Sequence, residues 1–178
     1  MAPRRDSENA SGTRRSWALV GSLLFLVLAP GTVAGWIPFW LTGWRAGRPF
    51  LDASSIRFVG AVILLAGLAS LLDSFARFAL VGLGTPAPVS PPTRLVVSGQ
   101  YRYLRNPMYV AVLAIVLGQG LVLASSVLLG YAAVLWILFH CFVVLYEERA
   151  LAAQFGSGYE VYCRNVRRWW PRTKPWLG

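Results

Sequence analysis

Apolar residues are gathered into four runs, residues 17–41, 56–72, 108–124 and 127–146. Each approaches or exceeds the roughly 20 helical residues that a bilayer core requires. The first run contains Pro30-Gly31 and Pro38, which remove helix hydrogen bonds, so the pattern predicts a kink or break there. The second could continue through Phe75, Phe78 and Leu80, but Asp73 and Arg77 interrupt it. No charge falls between Arg105 and Glu147, and only Ser125-Ser126 and their neighbours divide the last two runs, which predicts a tight helical hairpin opened by Pro107. Farther on, Tyr159, Tyr162, Val166 and Trp169 recur every three or four residues with Arg164, Arg167 and Arg168 among them. That spacing predicts an amphipathic helix lying in the membrane interface, an anchor or a lid. The expected fold is therefore all-α: an integral membrane bundle of about four transmembrane helices, with a C-terminal helical hairpin and an interfacial C-terminal helix.

Composition agrees, with 56% hydrophobic and 13% charged residues in a chain of 178. The formal charge of +10 lies in clusters beside the apolar runs, which excludes a disordered basic tail and argues against a nucleic-acid partner. Arginines crowd the N-terminal segment, the segment between the second and third runs, and the C-terminal segment, where Lys174 joins them; the first loop has Arg45, Arg48 and Arg57 in or beside it, and the hairpin turn has none. By the positive-inside rule both termini and the long second loop are cytoplasmic, in the cytoplasmic membrane if the chain is bacterial, and Trp36, Trp40 and Trp44 form an outer aromatic belt. A cleaved signal peptide is the competing reading of the first run, with small residues at Ala29, Val33 and Ala34. Apolar character persists past them through Trp40, which favours a span. Two cysteines, Cys141 and Cys163, make no zinc spacing or disulfide framework, and no metal is expected. Gly60, Ala66, Gly67 and Ser70 read as a close helix contact, and His140 as a hydrogen-bonded packing residue.

Candidate chemistry collects at the two ends of the hairpin. Before it, a Pro-rich GTPAPVSPP segment, expected to lie extended on the membrane surface, leads into SGQYRYLRNPMY. Two arginines, an amide and a helix-opening proline there could build an anion site, or could simply anchor the chain at headgroup depth. After the hairpin, Glu147 and Glu148 follow some 20 uncharged residues, with Arg149 next to them. Successive helical residues point about 100° apart, so one glutamate is expected on a ligand and the other in an arginine pair. The expectation is Glu148 on the ligand and Glu147 in the structural pair. A hairpin returns both ends to one face of the membrane, so these opposite charges can line one site.

These pieces, in the order GTPAP, SGQYRYLRNPMY, apolar hairpin, YEE and FGSGYEVYCRNVRRWWP, resemble the membrane-embedded methyltransferases related to isoprenylcysteine carboxyl methyltransferase and the phospholipid methyltransferases. The resemblance covers roughly residues 84–171 and divides the chain into a cytoplasmic tail (1–15), N-terminal spans (16–83) and a methyltransferase-like region (84–178). It implies methyl transfer from S-adenosylmethionine to a lipophilic small-molecule or lipidated acceptor arriving among membrane lipids. By position, Arg105, Asn106, Pro107 and Tyr109 match the family's Arg-His-Pro-x-Tyr element, with Tyr101 and Arg102 leading into it and Glu147 and Glu148 matching its paired glutamates. Arg105 and Arg102 are thereby the catalytic candidates, and Tyr101, Asn106, Pro107, Tyr109, Glu147 and Glu148 the cofactor-binding ones. Asn106 replaces the family's histidine, so no histidine base stands at this position, though an amide still donates and accepts hydrogen bonds. Ala111, where a glycine often follows, is a mild departure.

An isoprenylcysteine-type carboxylate is the acceptor favoured on sequence alone, since an anion is drawn to the arginines and needs no base. A phospholipid amine is the alternative if a glutamate can take its proton. A sterol-reductase-like enzyme using NADPH is disfavoured by the short N-terminal part, and a non-catalytic membrane partner would use the arginines on anionic lipid alone.

Overall fold

The computed structural model describes residues 21, 24–47, 53–80 and 95–178. The tail 1–15, the start of the first run and the Pro-rich segment lie outside these residues. Five helices dominate the described chain: α1 (Leu24–Thr42), α2 (Ala53–Leu80), α3 (Pro107–Val122), α4 (Ser126–Phe155) and α5 (Ser157–Asn165). A short 3₁₀ turn, Gly99–Arg102, precedes α3. No strand occurs among the described residues.

Helices α1 to α4 run alternately up and down. Gly47, past the end of α1, donates its amide to the Leu123 carbonyl in the turn between α3 and α4 (2.7 Å), while at the other end Phe25 of α1 stacks on Phe75 of α2. The most extensive interface joins α2 and α3, where Gly60 and Gly118 let the backbones touch: a Cβ on Gly118 would meet the Gly60 carbonyl oxygen at 2.7 Å. Leu71, Phe75, Ala111, Val112, Ile115 and Val116 fill the core, and Ala132 and Leu135 extend it to α4. Leu65, Val134, Ile137 and Leu138 point outward instead, as expected of surfaces that face lipid.

Among the described residues three helices are long and apolar enough to cross a membrane: Leu24–Thr42, Ser54–Arg77 and Ser126–Phe155. The protein is an integral membrane protein. The expected fourth span, α3, has 16 residues, a rise of about 24 Å that falls short of the usual crossing. Half of its residues are buried by its neighbours. The second run continues to Leu80 because Asp73 and Arg77, four residues apart, pair at 2.8 Å along the helix. The fourth run extends through both glutamates to Phe155, so neither glutamate stands at a helix end.

Pro38 does not break α1, and the way α1 accommodates it ties the bundle together. Residues Thr32–Trp36 form a π turn, closed by the Ile37 amide on the Thr32 carbonyl. Pro38 has no amide to offer the carbonyls four and five residues back, Ala34 and Val33. Gln119 Nε2 of α3 donates to the Ala34 carbonyl (2.7 Å), and the Tyr131 hydroxyl of α4 donates to the Val33 carbonyl (2.9 Å). Side chains from two other helices thus bond the two carbonyls that face the missing amide, as an apolar solvent demands.

The predicted amphipathic helix is shorter than its spacing implied. It stops at Asn165, and Val166 is already extended (φ −117°, ψ 128°). Beyond it the backbone pairs with the segment before α3: Arg105 donates its amide to the Arg167 carbonyl, Arg172 to Tyr103 and Trp176 to Arg102, each at 3.0 Å. An extended strap forms these bonds where a continued helix would have used its own carbonyls, so Trp169 belongs to the strap. Tyr159, Tyr162 and Val166 still share one buried cluster, with Leu95, Val97 and Trp176 packed on it.

Removing either borrowed donor, by Gln119→Leu or Tyr131→Phe, is expected to lower stability by about 1 to 2 kcal/mol. Part of that loss should vanish in a Pro38→Ala background, where a backbone amide can take over one carbonyl. Denaturant unfolding in detergent of the four members of each double-mutant cycle measures the coupling; strictly additive effects would contradict the account.

Candidate active site at the polar end of the hairpin

Two local features bring the motif residues together. The 3₁₀ turn Gly99–Arg102 is fastened to α2 by Gln100, whose Nε2 donates to Asp73 (2.8 Å) and to the Ser70 carbonyl (3.1 Å), while the Ser70 hydroxyl donates to Gln100 Oε1. Gly99 adopts φ +50°, which favours glycine, and a Cβ there would displace the Arg77 guanidinium. On the other side a second π turn, Val143–Glu147, is closed by the Glu148 amide on the Val143 carbonyl. A π turn adds a residue to the helix and so rotates the side chains at its C-terminal end, here those of the two glutamates.

The glutamates have different partners. Glu148 lies 3.1 Å from Arg105 Nη1 and accepts two bonds from Arg168, Nε at 2.7 Å and Nη2 at 2.8 Å. The carboxylate beside it raises the Arg168 guanidinium above its usual range, against the smaller effect of burial. Glu147 instead accepts from the Tyr109 hydroxyl (2.6 Å), and the Tyr109 ring packs on Phe139 at 4.8 Å between centroids. Arginine pairing therefore belongs to Glu148, the reverse of the sequence expectation, and involves Arg105 and Arg168 while Arg149 stays exposed.

The remaining candidates surround this centre. Arg105 also donates from Nη1 to Cys163 Sγ (2.7 Å), and its buried Nε has no partner. Asn106 is buried and donates to the Arg168 carbonyl (3.3 Å), so its amide braces the strap. Pro107 is buried at the first position of α3. Tyr101 is buried in the 3₁₀ turn; its carbonyl accepts from the Tyr162 hydroxyl (2.7 Å), and burial pushes its phenol well up, against a smaller effect of the Ser74 hydroxyl. Arg102 is half-buried, with an Nε that lacks a partner. His140 accepts at Nδ1 from Trp169 Nε1 (3.2 Å), a packing role that fastens the strap to α4.

Sequence reasoning missed Arg168, Cys163, Gln100 and Asp73. Only Asp73 had a local signal, its four-residue spacing to Arg77. The others act through contacts 20 or more residues away in the chain, such as Arg168 to Glu148 and Cys163 to Arg105.

Glu148→Ala is expected to destabilise the fold by about 2 to 4 kcal/mol, because it strands two partly buried guanidinium groups. Glu147→Gln should cost less than about 1 kcal/mol, since an amide oxygen still accepts from Tyr109. Unfolding of the two variants side by side tests this, and equal losses would contradict the division of roles.

Over residues 55–158, more than half of the chain, the sequence matches the family model of phospholipid methyltransferases. No curated protein and no solved structure matches it significantly. The matched region runs from α2 through the paired segments around Arg105 to the first residues of α5, so it takes in the Glu147–Tyr109 pair and the Arg105–Glu148 pair alike. On that match the chain belongs to the phospholipid methyltransferase family and is a membrane methyltransferase.

Proposed function

We propose that this protein transfers a methyl group from S-adenosylmethionine to the amine of a phospholipid headgroup or a closely similar lipophilic amine. The observation that carries the reading is the partnering of Glu147. Among the described residues Asp73 pairs with Arg77, Glu148 with Arg105 and Arg168, and Glu160 with Arg164, whereas Glu147 has the neutral Tyr109 hydroxyl. A partly buried carboxylate without a cation is costly and attracts a positive ligand. The residues fit a sulfonium donor: Glu147 supplies the counter-charge, the Tyr109 and Phe139 rings supply aromatic faces, and the unpartnered Arg105 Nε–H can meet a carboxylate.

Bound S-adenosylmethionine supplies an electrophilic methyl group on a cationic sulfur. The chain contributes alignment, exclusion of water and charge. Glu148 is committed to two arginines, which leaves Glu147 as the carboxylate here that can take the acceptor amine's proton. With that proton passed on to solvent, transfer to nitrogen keeps one positive charge beside Glu147 throughout. Transfer to a carboxylate would cancel the charge and leave Glu147 uncompensated. Arg105, which made the acid acceptor attractive on sequence alone, has its Nη1 on Glu148 and Cys163, and its remaining Nε–H is the group that meets the carboxylate of the methyl donor in this reading. The acid acceptor of isoprenylcysteine type is the second reading, supported by the unpartnered Nε of Arg102. Orientation is part of the proposal: the clustering of arginines supports a cytoplasmic site with both termini on that side.

Methyl transfer by the purified full chain to phosphatidylethanolamine and to a small prenylated thiol acid, in the same detergent, decides between the readings. The expected result is transfer to the amine, reduced at least about 100-fold in Glu147→Gln at saturating donor. Transfer to the acid alone would overturn the amine assignment, and transfer to neither would overturn both.

A further inference from the structure

The strap that crosses the site brings together polar groups that the cofactor and amine assignments leave unused. Its Arg172 amide bonds the Tyr103 carbonyl and its Trp176 amide bonds the Arg102 carbonyl, so Arg102 and Arg172 stand on directly paired segments. Both are half-buried, and each has a guanidinium nitrogen removed from solvent without a partner, Nε in Arg102 and Nη1 in Arg172. Ser98, just before the 3₁₀ turn that ends at Arg102, has a buried hydroxyl oxygen in the same condition, and it caps nothing. Asp73, Glu148 and Glu160 already have arginines and Glu147 a phenol, so none of the described carboxylates is paired with Arg102 or Arg172.

Two partly desolvated guanidinium groups and a hydroxyl, carried on paired or adjoining segments, suit an oxyanion, which guanidinium forks bind with charge-assisted hydrogen bonds. The same strap exposes Trp170, a residue type that settles at headgroup depth. We infer that Ser98, Arg102 and Arg172 form an oxyanion site for the phosphodiester of the acceptor lipid. The inference rests on the amine reading for its choice of oxyanion: in an ethanolamine headgroup the phosphate stands two carbons from the amine. Glu147 then holds the positive end of the headgroup and the two arginines its negative end, which selects an amine carrying a phosphate over a simple long-chain amine. The carboxylate of the methyl donor is the other source of an oxyanion, and the test separates the two.

Dissociation constants of the purified full chain are measured by tryptophan fluorescence for four probes: short-chain phosphatidylethanolamine, short-chain phosphatidylglycerol, a phosphate-free alkoxyethylamine of equal tail length, and S-adenosylhomocysteine. Arg102→Gln and Arg172→Gln are expected to weaken both phospholipids about tenfold or more, and to leave the alkoxyethylamine and S-adenosylhomocysteine within about twofold. Arg172→Lys should fall between, and Lys174→Gln, on the exposed part of the strap, should change nothing. Losses confined to phosphatidylglycerol and phosphatidylethanolamine in a protein that methylates no amine would sustain the phosphate site while removing the amine reading. Loss confined to S-adenosylhomocysteine would overturn the assignment to the acceptor. Equal loss for all four probes, or no loss for any, would overturn the site itself.

Discussion

The site depends on one carboxylate shared by two arginines. Glu148 is reached by Arg105 from just before α3 and by Arg168 from the strap after α5. It therefore closes three segments around a single anion, and the backbone bonds from Arg105 to Arg167 and from Arg172 to Tyr103 form beside it. Ion pairs of this kind offset their desolvation only when geometry is good and every partner is present. Two parallel bonds from Arg168 satisfy that condition. The chemical consequence is a division of labour between neighbours: because Glu148 is neutralised in place, its neighbour Glu147 can remain without a cation and serve a ligand.

The rest of the bundle obeys the same requirement that polar groups find partners in an apolar solvent. Pro38 withholds the amide that could bond the Ala34 or the Val33 carbonyl, and Gln119 and Tyr131 donate to both from other helices. A second π turn falls at Val143–Glu147, immediately before the arginine-bound glutamate. In both places a departure from α-helical hydrogen bonding lies where helices are tied to one another, and in the second it is also where the candidate chemistry stands. Rigid helices thus carry the charged groups, and the strap, fastened by Trp169 to His140 and by Asn106 to the Arg168 carbonyl, covers them.

Much of this was legible in the sequence wherever a signal is local. Pro107 marks the start of α3, Ser125-Ser126 mark the turn into α4, and the uncharged stretch between Arg105 and Glu147 requires its ends to carry the charge. The family was readable from the order of its motifs. Less accessible was anything set by tertiary pairing. The assignment of arginines to Glu148 depends on a strap that returns from 20 residues farther on, and nothing near Glu147 in sequence distinguishes it from its neighbour. The early end of α5 has the same origin: periodicity at Val166 and Trp169 continues, but the backbone is claimed by the segment before α3. Asp73 and Arg77 were misleading in the opposite sense, since charges that look like a break in a span neutralise one another along α2.

The central claim is that Glu147 provides the counter-charge for a cationic methyl donor. Isothermal titration of the purified protein with S-adenosylmethionine and with its neutral thioether product, S-adenosylhomocysteine, tests it directly, with NADPH as a third ligand. The account predicts that the wild-type chain binds the sulfonium compound more tightly than the thioether, that Glu147→Gln removes this preference, and that NADPH does not bind. Equal affinity for the two in the wild-type chain, or a preference that survives Glu147→Gln, would contradict it.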